Sequence, residues 1–473
     1  MKSRMNSSAN NGKIIGVMLF VVGIFASMMV YLGYFVATNE QDMINNSYNH
    51  RQELILAKNY RGSIYSSDGQ ILAQTALNSK GEEVRYYPYE NMFSHVVGFS
   101  THGRTGIEDF ANYYLINSDI SLINKVENTT AGRKNPGNNA YTTLNYDIQQ
   151  AAYQAMGIYE GAVIVTEVST GKILAMVSKP DFDPNTVVEM WDKWVENDES
   201  SILLNRVTTG LYPPGSTFKI MSTLEYIKEH KNEYQNYTYT CRGSYKKGDM
   251  TIHCYHNSVH NRVNLTKSFA KSCNTSFVNL AMGLDRDSFS DTLDKLLFGK
   301  NLSLDFSTAV SKTPINAQMS DEEMLQASIG QGTVQITPIH LNMITSAIAN
   351  DGLLMKPYLV DRIESADGDL VHAYKAKEYG RLMSEEESAA LQVLMKEVVE
   401  NGTANRMKGY GYTVAGKTGS AEYNSLGDSH AWFTGFAPAE EPEIAITVII
   451  ESAGAGGDYA VPIARRVLDA YFK

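Results

Sequence analysis

The sequence predicts an α+β protein: an antiparallel sheet flanked by helices, preceded by an N-terminal pedestal domain and a single transmembrane helix. Strand-like segments lie near both ends of the region after residue 145, with helical segments between them, so one sheet would join the first and last segments. A charge-free apolar segment stands alone near the N-terminus. We therefore expect a tail at 1–13, a membrane anchor at 14–37, a small domain at 38–145 and a larger domain at 146–473.

The predicted anchor contains no charged residue between positions 14 and 39. About 20 apolar residues are enough for a helix to span a bilayer. Lys2, Arg4 and Lys13 precede the segment, so the positive-inside rule leaves the short N-terminus in the cytoplasm and exports the rest. A cleaved signal peptide is the alternative, but it has a shorter apolar stretch and a small-residue cleavage site. We expect an uncleaved, single-pass anchor.

Bulk composition narrows the function. The chain has 473 residues and a formal net charge of −11, which disfavours nucleic acid as a partner because phosphate binding needs clustered Lys and Arg. It has only three cysteines, so disulfides cannot be the framework of the fold.

The small domain after the anchor carries a hairpin signal at 61–70 and a loop rich in Asn, Gly and Pro at 135–139, but no evident catalytic chemistry. In the larger domain, a capping box at Ser384 starts a helix that runs to Val399. Further helices are predicted at 147–156 and 462–471, and strands at 161–166, 171–177, 414–421, 431–437 and 444–451.

The motif Ser-x-x-Lys occurs four times, so the motif alone indicates nothing. Only the match at Ser216 and Lys219 directly follows Pro-Pro-Gly, which cannot continue a helix and therefore predicts a helix start at the serine. Positions i and i+3 share a helix face, so the Lys219 amine would lie beside the Ser216 hydroxyl. The other matches begin at Ser169, Ser244 and Ser268.

A serine nucleophile needs an adjacent base, and lysine can serve only when its pKa is lowered. Burial and a second positive charge would do this, and Lys417 is the candidate for that charge. Lys417 opens the only Lys-Thr-Gly triplet in the chain, at the start of a predicted strand. Gly419 in that triplet has no side chain, so a substrate backbone could lie against the strand. Ser272-Cys-Asn274 adds a hydroxyl and an amide at a helix end.

The three motifs in this order resemble the active serine site of penicillin-binding proteins and serine β-lactamases. Over nearly its whole length the chain resembles a class B penicillin-binding protein, a monofunctional peptidoglycan D,D-transpeptidase with a dimerisation-type pedestal. Ser420 stands where threonine is common in that family, but the hydroxyl is kept. Other segments that carry the resemblance are Arg61-Gly-Ser-Ile64, Gly106-Ile-Glu108, Asp183-Pro-Asn185, Gly330-Gln-Gly332 and the segment 431–438.

The resemblance implies acyl transfer from stem peptides ending in D-Ala-D-Ala to an acceptor amine, in a protein of the bacterial cell membrane with an extracytoplasmic catalytic domain. It implies β-lactams as inhibitors, a membrane-embedded glycosyltransferase polymerase as partner, and no cofactor for the chemistry. The backbone N–H groups of Ser216 and Ser420 would form the oxyanion hole. The catalytic residues implied are Ser216, Lys219, Ser272, Asn274 and Lys417, and the substrate-binding residues are Thr418, Gly419, Ser420 and Trp432.

Three rival functions remain open at this point. A D,D-carboxypeptidase would use the same acylation site, and only the pedestal resemblance argues against it. A serine β-lactamase would need an extra carboxylate to activate water. An anchored β-lactam sensor or scaffold for a glycosyltransferase would need no catalysis, whereas the motifs here are intact.

A cluster of cysteine and histidine lies between the first two motifs. An exported hairpin with two cysteines suggests a disulfide, but Cys thiolate, His nitrogen and carboxylate oxygen are also zinc ligands. A structural zinc, a disulfide and no bond at all are the alternatives, and Cys273 is expected to be a small buried filler. The proposed zinc ligands are Cys241, Asp249, Cys254 and His260, with His253 and His256 as substitutes.

Overall fold

The computed structural model describes residues 2–45, 51–197, 200–422 and 429–473. Residues 46–50, which belong to the expected N-terminal domain, lie outside the described residues. The first helix is Lys2–Asn45, and within it Gly12–Phe35 is long and apolar enough to cross a membrane. This agrees with the single apolar helix expected from the sequence.

The larger domain is built on a five-stranded antiparallel sheet, which we call the central sheet. The middle strands are buried along their whole length because helices cover both faces. All five predicted strands are present and the segments at the two ends of the domain meet in one sheet, as predicted. In spatial order the strands are Ala415–Glu422, Ser429–Ala437, Ile444–Ile450, Gly161–Glu167 and Ile173–Lys179.

Helices form a layer on each side of the central sheet. Pro338–Ala349 is buried at every residue and packs on one face, while Tyr146–Met156 and Ala460–Tyr471 pack together on the other. Glu385–Glu400 lies against the edge strand Ala415–Glu422, and the predicted capping box at its start is confirmed. The remaining α-helices of the larger domain are Val187–Val195, Lys219–Glu229, Leu265–Ala270, Asn274–Ala281, Arg286–Lys295 and Asp321–Ala327.

The N-terminal domain contains a six-stranded sheet, and two of those strands come from far along the chain. The predicted hairpin at 61–70 is present as antiparallel Ile64–Tyr65 and Ile71–Leu77. The sheet order is Leu370–Ala373, Val360–Glu364, Asn139–Thr142, Ile64–Tyr65, Ile71–Leu77 and Glu83–Tyr86. The sequence assigned everything after residue 145 to the larger domain, whereas residues 360–373 return to complete the N-terminal sheet.

An ion triad fixes the interior of the N-terminal domain. The Glu108 carboxylate is completely buried and lies 2.6 Å from the Nε atoms of both Arg61 and Arg85. Burial opposes ionisation of Glu108, but the two guanidinium groups outweigh burial and lower its pKa. Other helices of this domain are Arg51–Lys58, Ser94–Val97, Gly106–Phe110, Asn112–Ile116 and Leu122–Thr130.

Short elements complete the fold. Two small antiparallel pairs project beside the cleft described below: Thr238–Cys241 with Asn261–Asn264, and Ser244–Lys247 with Met250–His253. Two more pairs join Leu353–Met355 to Glu378–Arg381 and Asn59–Tyr60 to Asn135–Pro136. The 3-10 turns are Glu90–Phe93, Pro184–Thr186, Gly215–Phe218, Tyr234–Asn236, Tyr255–Asn257 and Asn405–Met407.

Candidate active site

Ser216 lies in a tight turn at the start of a buried helix. The predicted helix is present, but it opens with the 3-10 turn Gly215–Phe218 before continuing as Lys219–Glu229. Gly215 has φ +53°, a conformation that favours glycine and lets the chain enter the turn directly from Pro214. Ser216 is partly exposed while its neighbours in the turn are buried, so its hydroxyl is presented to solvent on a rigid base.

The Lys219 amine is the centre of the site. Its Nζ lies 3.0 Å from Ser216 Oγ, as the i, i+3 spacing predicts. It also lies 2.8 Å from the Ser272 carbonyl oxygen and 2.7 Å from Asn274 Oδ1. These two carbonyl oxygens can only accept hydrogen bonds, so they take both N–H groups of a neutral amine. The lone pair of that amine is then left for the Ser216 hydroxyl proton.

The motif Ser272-Cys-Asn274 positions its side chains through a left-handed backbone conformation at Ser272. Ser272 has φ +53° and lies between the helices Leu265–Ala270 and Asn274–Ala281. This turn directs the Ser272 hydroxyl between two amines: its Oγ is 3.1 Å from Lys219 Nζ and 3.0 Å from Lys417 Nζ. All three motifs therefore converge on one hydroxyl group.

Both lysines are completely buried, and burial lowers the pKa of each. The pKa of Lys219 falls to about 7, and that of Lys417 falls well below its ordinary value, with repulsion from Lys219 as the second cause. We expected the charge of Lys417 to be a cause at Lys219, but burial is the main cause there. The repulsion acts on Lys417, because two amines beside one hydroxyl do not both stay protonated.

A cleft of about 1460 Å³ opens in front of Ser216. Thr418, Gly419 and Ser420 line it along the edge strand of the central sheet, where the sequence placed the substrate. Lys417 does not line it, since its Nζ turns inward and donates to Ser272 Oγ and to the Thr418 carbonyl oxygen.

Trp432 was expected to bind substrate, and that prediction was wrong. Its side chain is completely buried on the neighbouring strand, and its Nε1 donates to the Pro213 carbonyl oxygen at 3.0 Å. A tryptophan among strand residues gives no sign of which face it occupies when both faces of the strand are covered. Trp432 supports the turn that carries Ser216 instead of facing the cleft.

Comparison with known protein families identifies the family to which a chain with this fold and this site belongs. The family model described as "Penicillin binding protein transpeptidase domain" matches residues 161–469, more than half of the 473-residue chain. The chain belongs to the penicillin-binding proteins. A second model, the penicillin binding protein A dimerisation domain, matches residues 61–140.

Relatives of this penicillin-binding protein are similar along most of its length. The peptidoglycan D,D-transpeptidase PbpA of Mycolicibacterium smegmatis is 32% identical over 455 residues, covering 89% of this chain and 91% of the relative. The MrdA transpeptidase of Acinetobacter baumannii is 28% identical, covering 81% and 65%. A solved structure of penicillin-binding protein A from M. tuberculosis, a ceftriaxone acyl-enzyme complex, has a TM-score of 0.81 and 30% identity, covering 88% and 99%. The chain is thus a class B penicillin-binding protein with a serine-type D,D-transpeptidase domain.

The segment Gly330-Gln-Gly332 supports the turn that carries Ser216 in this penicillin-binding protein, a role the sequence did not reveal. The Gly215 N–H donates to the Gly330 carbonyl oxygen at 3.0 Å. A Cβ atom on Gly330 would lie 2.1 Å from the Gly215 carbonyl oxygen, so no larger residue fits. The signal available in the sequence was a pair of glycines two positions apart, which indicates only a turn.

The cysteine cluster consists of Cys241, Cys254, His260 and Cys273, whose ligand atoms all lie within 4.8 Å of one another. Asp249, which the sequence suggested as a ligand, is not a member of this set, and the three thiols are free. Cys273 is buried as expected, but it joins the cluster instead of acting as inert filler, because the Ser272 turn directs it away from the cleft. The substitute ligands His253 and His256 are not members of this set either, and the His253 carbonyl oxygen accepts a hydrogen bond from Asn274 Nδ2 at 2.9 Å.

Proposed function

We propose that this protein cross-links peptidoglycan, transferring the acyl group of a stem peptide ending in D-Ala-D-Ala to an acceptor amine through an ester on Ser216. The observation that carries the proposal is the position of Lys219 Nζ, 3.0 Å from Ser216 Oγ and with two carbonyl oxygens holding its N–H groups. A neutral amine so held is a base for one particular hydroxyl.

In the acylation step, Lys219 accepts the Ser216 proton while Ser216 Oγ forms a bond to the carbonyl carbon of the penultimate D-Ala. The backbone N–H groups of Ser216 and Ser420 bind the oxygen that becomes negative, and one such donor contributes about 10²–10³ in rate. The C–N bond to the terminal D-Ala then breaks. The Ser272 hydroxyl, 3.1 Å from Lys219 Nζ, passes the proton to the departing amine.

In the second step, the amino group of a neighbouring stem peptide attacks the ester. The new amide bond forms, Ser216 Oγ leaves as the hydroxyl, and the proton lost by the amine returns through Lys219. Asn274 holds the peptide amide, and Thr418 and Ser420 bind the terminal carboxylate. A β-lactam acylates Ser216 by the first step and is released slowly, because no acceptor amine displaces it.

Covalent labelling tests the nucleophile. Ser216→Ala should abolish labelling by a fluorescent penicillin, and Ser169→Ala, at one of the other Ser-x-x-Lys matches, should leave labelling intact. Labelling that survives in Ser216→Ala would refute the assignment. Thermal unfolding of both variants shows whether a loss reflects chemistry or misfolding.

The nature of the acceptor separates a transpeptidase from a D,D-carboxypeptidase. Full-length protein, lipid-linked precursor and a partner polymerase should yield dimeric stem peptides, whereas shortened monomers alone would mean a carboxypeptidase. Hydrolysis of β-lactams would need a carboxylate that activates water. Among the described residues that line the cleft, the carboxylates are Glu422 and Asp458, and Asp458 is paired with Arg406 at 2.8 Å.

We further propose a single-pass topology with the catalytic domain outside the cytoplasm. Three basic residues precede the charge-free segment that begins at residue 14, which supports an N-terminus on the cytoplasmic side. A membrane-embedded glycosyltransferase is the expected partner, since it would supply the glycan strands. Protease added to intact spheroplasts should digest the catalytic domain. A catalytic domain protected from the protease would show the opposite topology, with that domain in the cytoplasm.

We also propose that the cysteine cluster holds a structural zinc ion that takes no part in the chemistry. Zinc bonds of about 2.3 Å to sulfur and 2.0 Å to nitrogen imply tetrahedral edges of about 3.8 Å between sulfurs and 3.5 Å between sulfur and nitrogen. Cys254 Sγ lies 3.7 Å from both Cys241 Sγ and Cys273 Sγ, and Cys241 Sγ lies 3.5 Å from His260 Nδ1. A disulfide would use two of these thiols and leave the third without a role.

Elemental analysis tests the zinc proposal. Purified protein should contain one zinc per chain, Cys254→Ser should lose it, and Asp249→Ala should keep it, because Asp249 is outside the cluster. Protein without zinc in which Cys241 resists thiol reagents after denaturation would establish the disulfide instead. Protein without zinc but with three titratable thiols would leave the cluster unbonded.

A further inference from the structure

We propose that Thr403 is a further substrate-positioning residue, which orients the Thr418 hydroxyl for the terminal carboxylate of the donor peptide or of a β-lactam. The proposal rests on the proposed function and assigns a role to a residue outside the three motifs. Thr403 follows the helix Glu385–Glu400 and lines the cleft together with Thr418 and Ser420.

Thr403 joins two walls of the cleft. Its backbone N–H donates to the Ala270 carbonyl oxygen at 3.2 Å, at the end of the helix that leads to Ser272. Its Oγ1 is hydrogen-bonded to Thr418 Oγ1 on the edge strand of the central sheet. Thr403 therefore links the second motif to the third by one backbone bond and one side-chain bond.

Close packing fixes this position on both sides. A Cβ atom on Gly402 would lie 2.3 Å from the Ala270 carbonyl oxygen, so the backbone before Thr403 is pressed against that helix. A Cβ atom on Gly457 would lie 2.7 Å from the Thr403 carbonyl oxygen, so a glycine-rich loop closes on it from the other side. A residue held this firmly places its hydroxyl within a narrow range of positions.

Two cations near Thr403 and Ser216 are already engaged by other groups, which shows why this hydroxyl matters. A carboxylate needs hydrogen-bond donors, and Lys417 Nζ is buried and donates to Ser272 Oγ and the Thr418 carbonyl oxygen. Arg406 is paired with Asp458 at 2.8 Å. The direct donors on the strand are then the Thr418 and Ser420 hydroxyls.

Each of these hydroxyls has a single proton. When Thr403 donates to a lone pair of Thr418 Oγ1, the Thr418 proton is directed to the carboxylate. Without the Thr403 hydroxyl, the Thr418 hydroxyl can rotate and lose this direction. Thr403 thus acts through Thr418, and its contribution exists only when the ligand carries a carboxylate.

The test compares an acid with its ester. Thr403→Val keeps the shape of threonine and removes the hydroxyl. The second-order acylation rate of Ser216 by benzylpenicillin should fall about tenfold or more, since hydrogen bonds to charged groups are the stronger class. With benzylpenicillin methyl ester, which has no carboxylate, the rate should change by less than about twofold. Thr403→Ser keeps a hydroxyl and should restore most of the acid rate.

An equal loss of acylation rate with the acid and the ester would mean that Thr403 has only a structural role. An unchanged acylation rate with the acid would also overturn the proposal. In both cases Ser216 is still acylated, so the failure differs from a failure of the proposed function, in which wild-type Ser216 is not labelled at all. Ser420→Ala is the matched control within the strand: it should also lose rate with the acid and keep it with the ester.

Discussion

The pH dependence of acylation follows directly from the burial of Lys219. The reacting form is the neutral amine, and burial lowers the pKa of Lys219 to about 7. A lysine in water, with a pKa of about 10.4, is neutral in roughly one molecule in a thousand at pH 7.5. With the lowered pKa, about three quarters of the molecules carry the neutral base at that pH. Acylation should therefore slow by about tenfold per pH unit below 6 and reach a plateau above pH 8.

Stopped-flow acylation of the full-length protein with a fluorescent penicillin, from pH 5 to pH 9.5, measures this profile. The protein must stay folded over the range, which circular dichroism at each pH checks. A rate that keeps rising up to pH 9.5 would show that Lys219 keeps an ordinary pKa despite its burial. A rate independent of pH would show that Lys219 is not the base. Either result would refute the reasoning from burial.

Two further predictions concern the support of the nucleophile turn. Gly330→Ala places a Cβ atom 2.1 Å from the Gly215 carbonyl oxygen and should slow penicillin acylation by about 10²-fold, because Ser216 is displaced. Gly332→Ala is its control, since Gly332 has the same φ of +72° but its Cβ atom would meet only a glutamine side-chain oxygen, at 2.9 Å. An equal loss of rate in Gly332→Ala would argue against displacement of Ser216 as the cause. Trp432→Phe leaves the Pro213 carbonyl oxygen without its indole donor and should lower the free energy of unfolding by about 1–3 kcal/mol, measured by denaturant titration. An unchanged midpoint of unfolding would contradict the role given to that hydrogen bond.

The central sheet could be predicted because its strands have seven to nine residues and are mostly buried, and two of them, Gly161–Glu167 and Ile444–Ile450, are rich in β-branched residues. Ile444–Ile450 is apolar at six of its seven residues, and the seventh, Thr447, is β-branched, a pattern typical of a buried strand. The strands Val360–Glu364 and Leu370–Ala373 have only five and four residues, and one contains adjacent charged residues. Val360–Glu364 pairs with Asn139–Thr142, more than 200 residues earlier, and no local pattern records such a pairing.

The convergence of the candidate site residues could be predicted in part because the chemistry requires fixed spacings within each motif. Ser216 and Lys219 meet through one helical turn, so their contact was predictable from four consecutive residues. Thr403 meets Thr418 only through tertiary packing, and a threonine after glycine has no distinguishing pattern. Cys273 could not be assigned to the cluster because its direction depends on the left-handed backbone of Ser272, which propensity does not predict.

The return of residues 360–373 to the N-terminal sheet sets the order in which the molecule can be completed. The strand Asn139–Thr142 pairs with Ile64–Tyr65 on one side and with Val360–Glu364 on the other. At synthesis rates of about 5–20 residues per second, the interval between residues 142 and 360 lasts roughly 11–44 s. During that time one edge of the young sheet has unpaired backbone groups, the kind of surface on which chains aggregate. We therefore expect the nascent protein to need a chaperone during this interval. A fragment ending near residue 145 would keep the same exposed strand edge permanently.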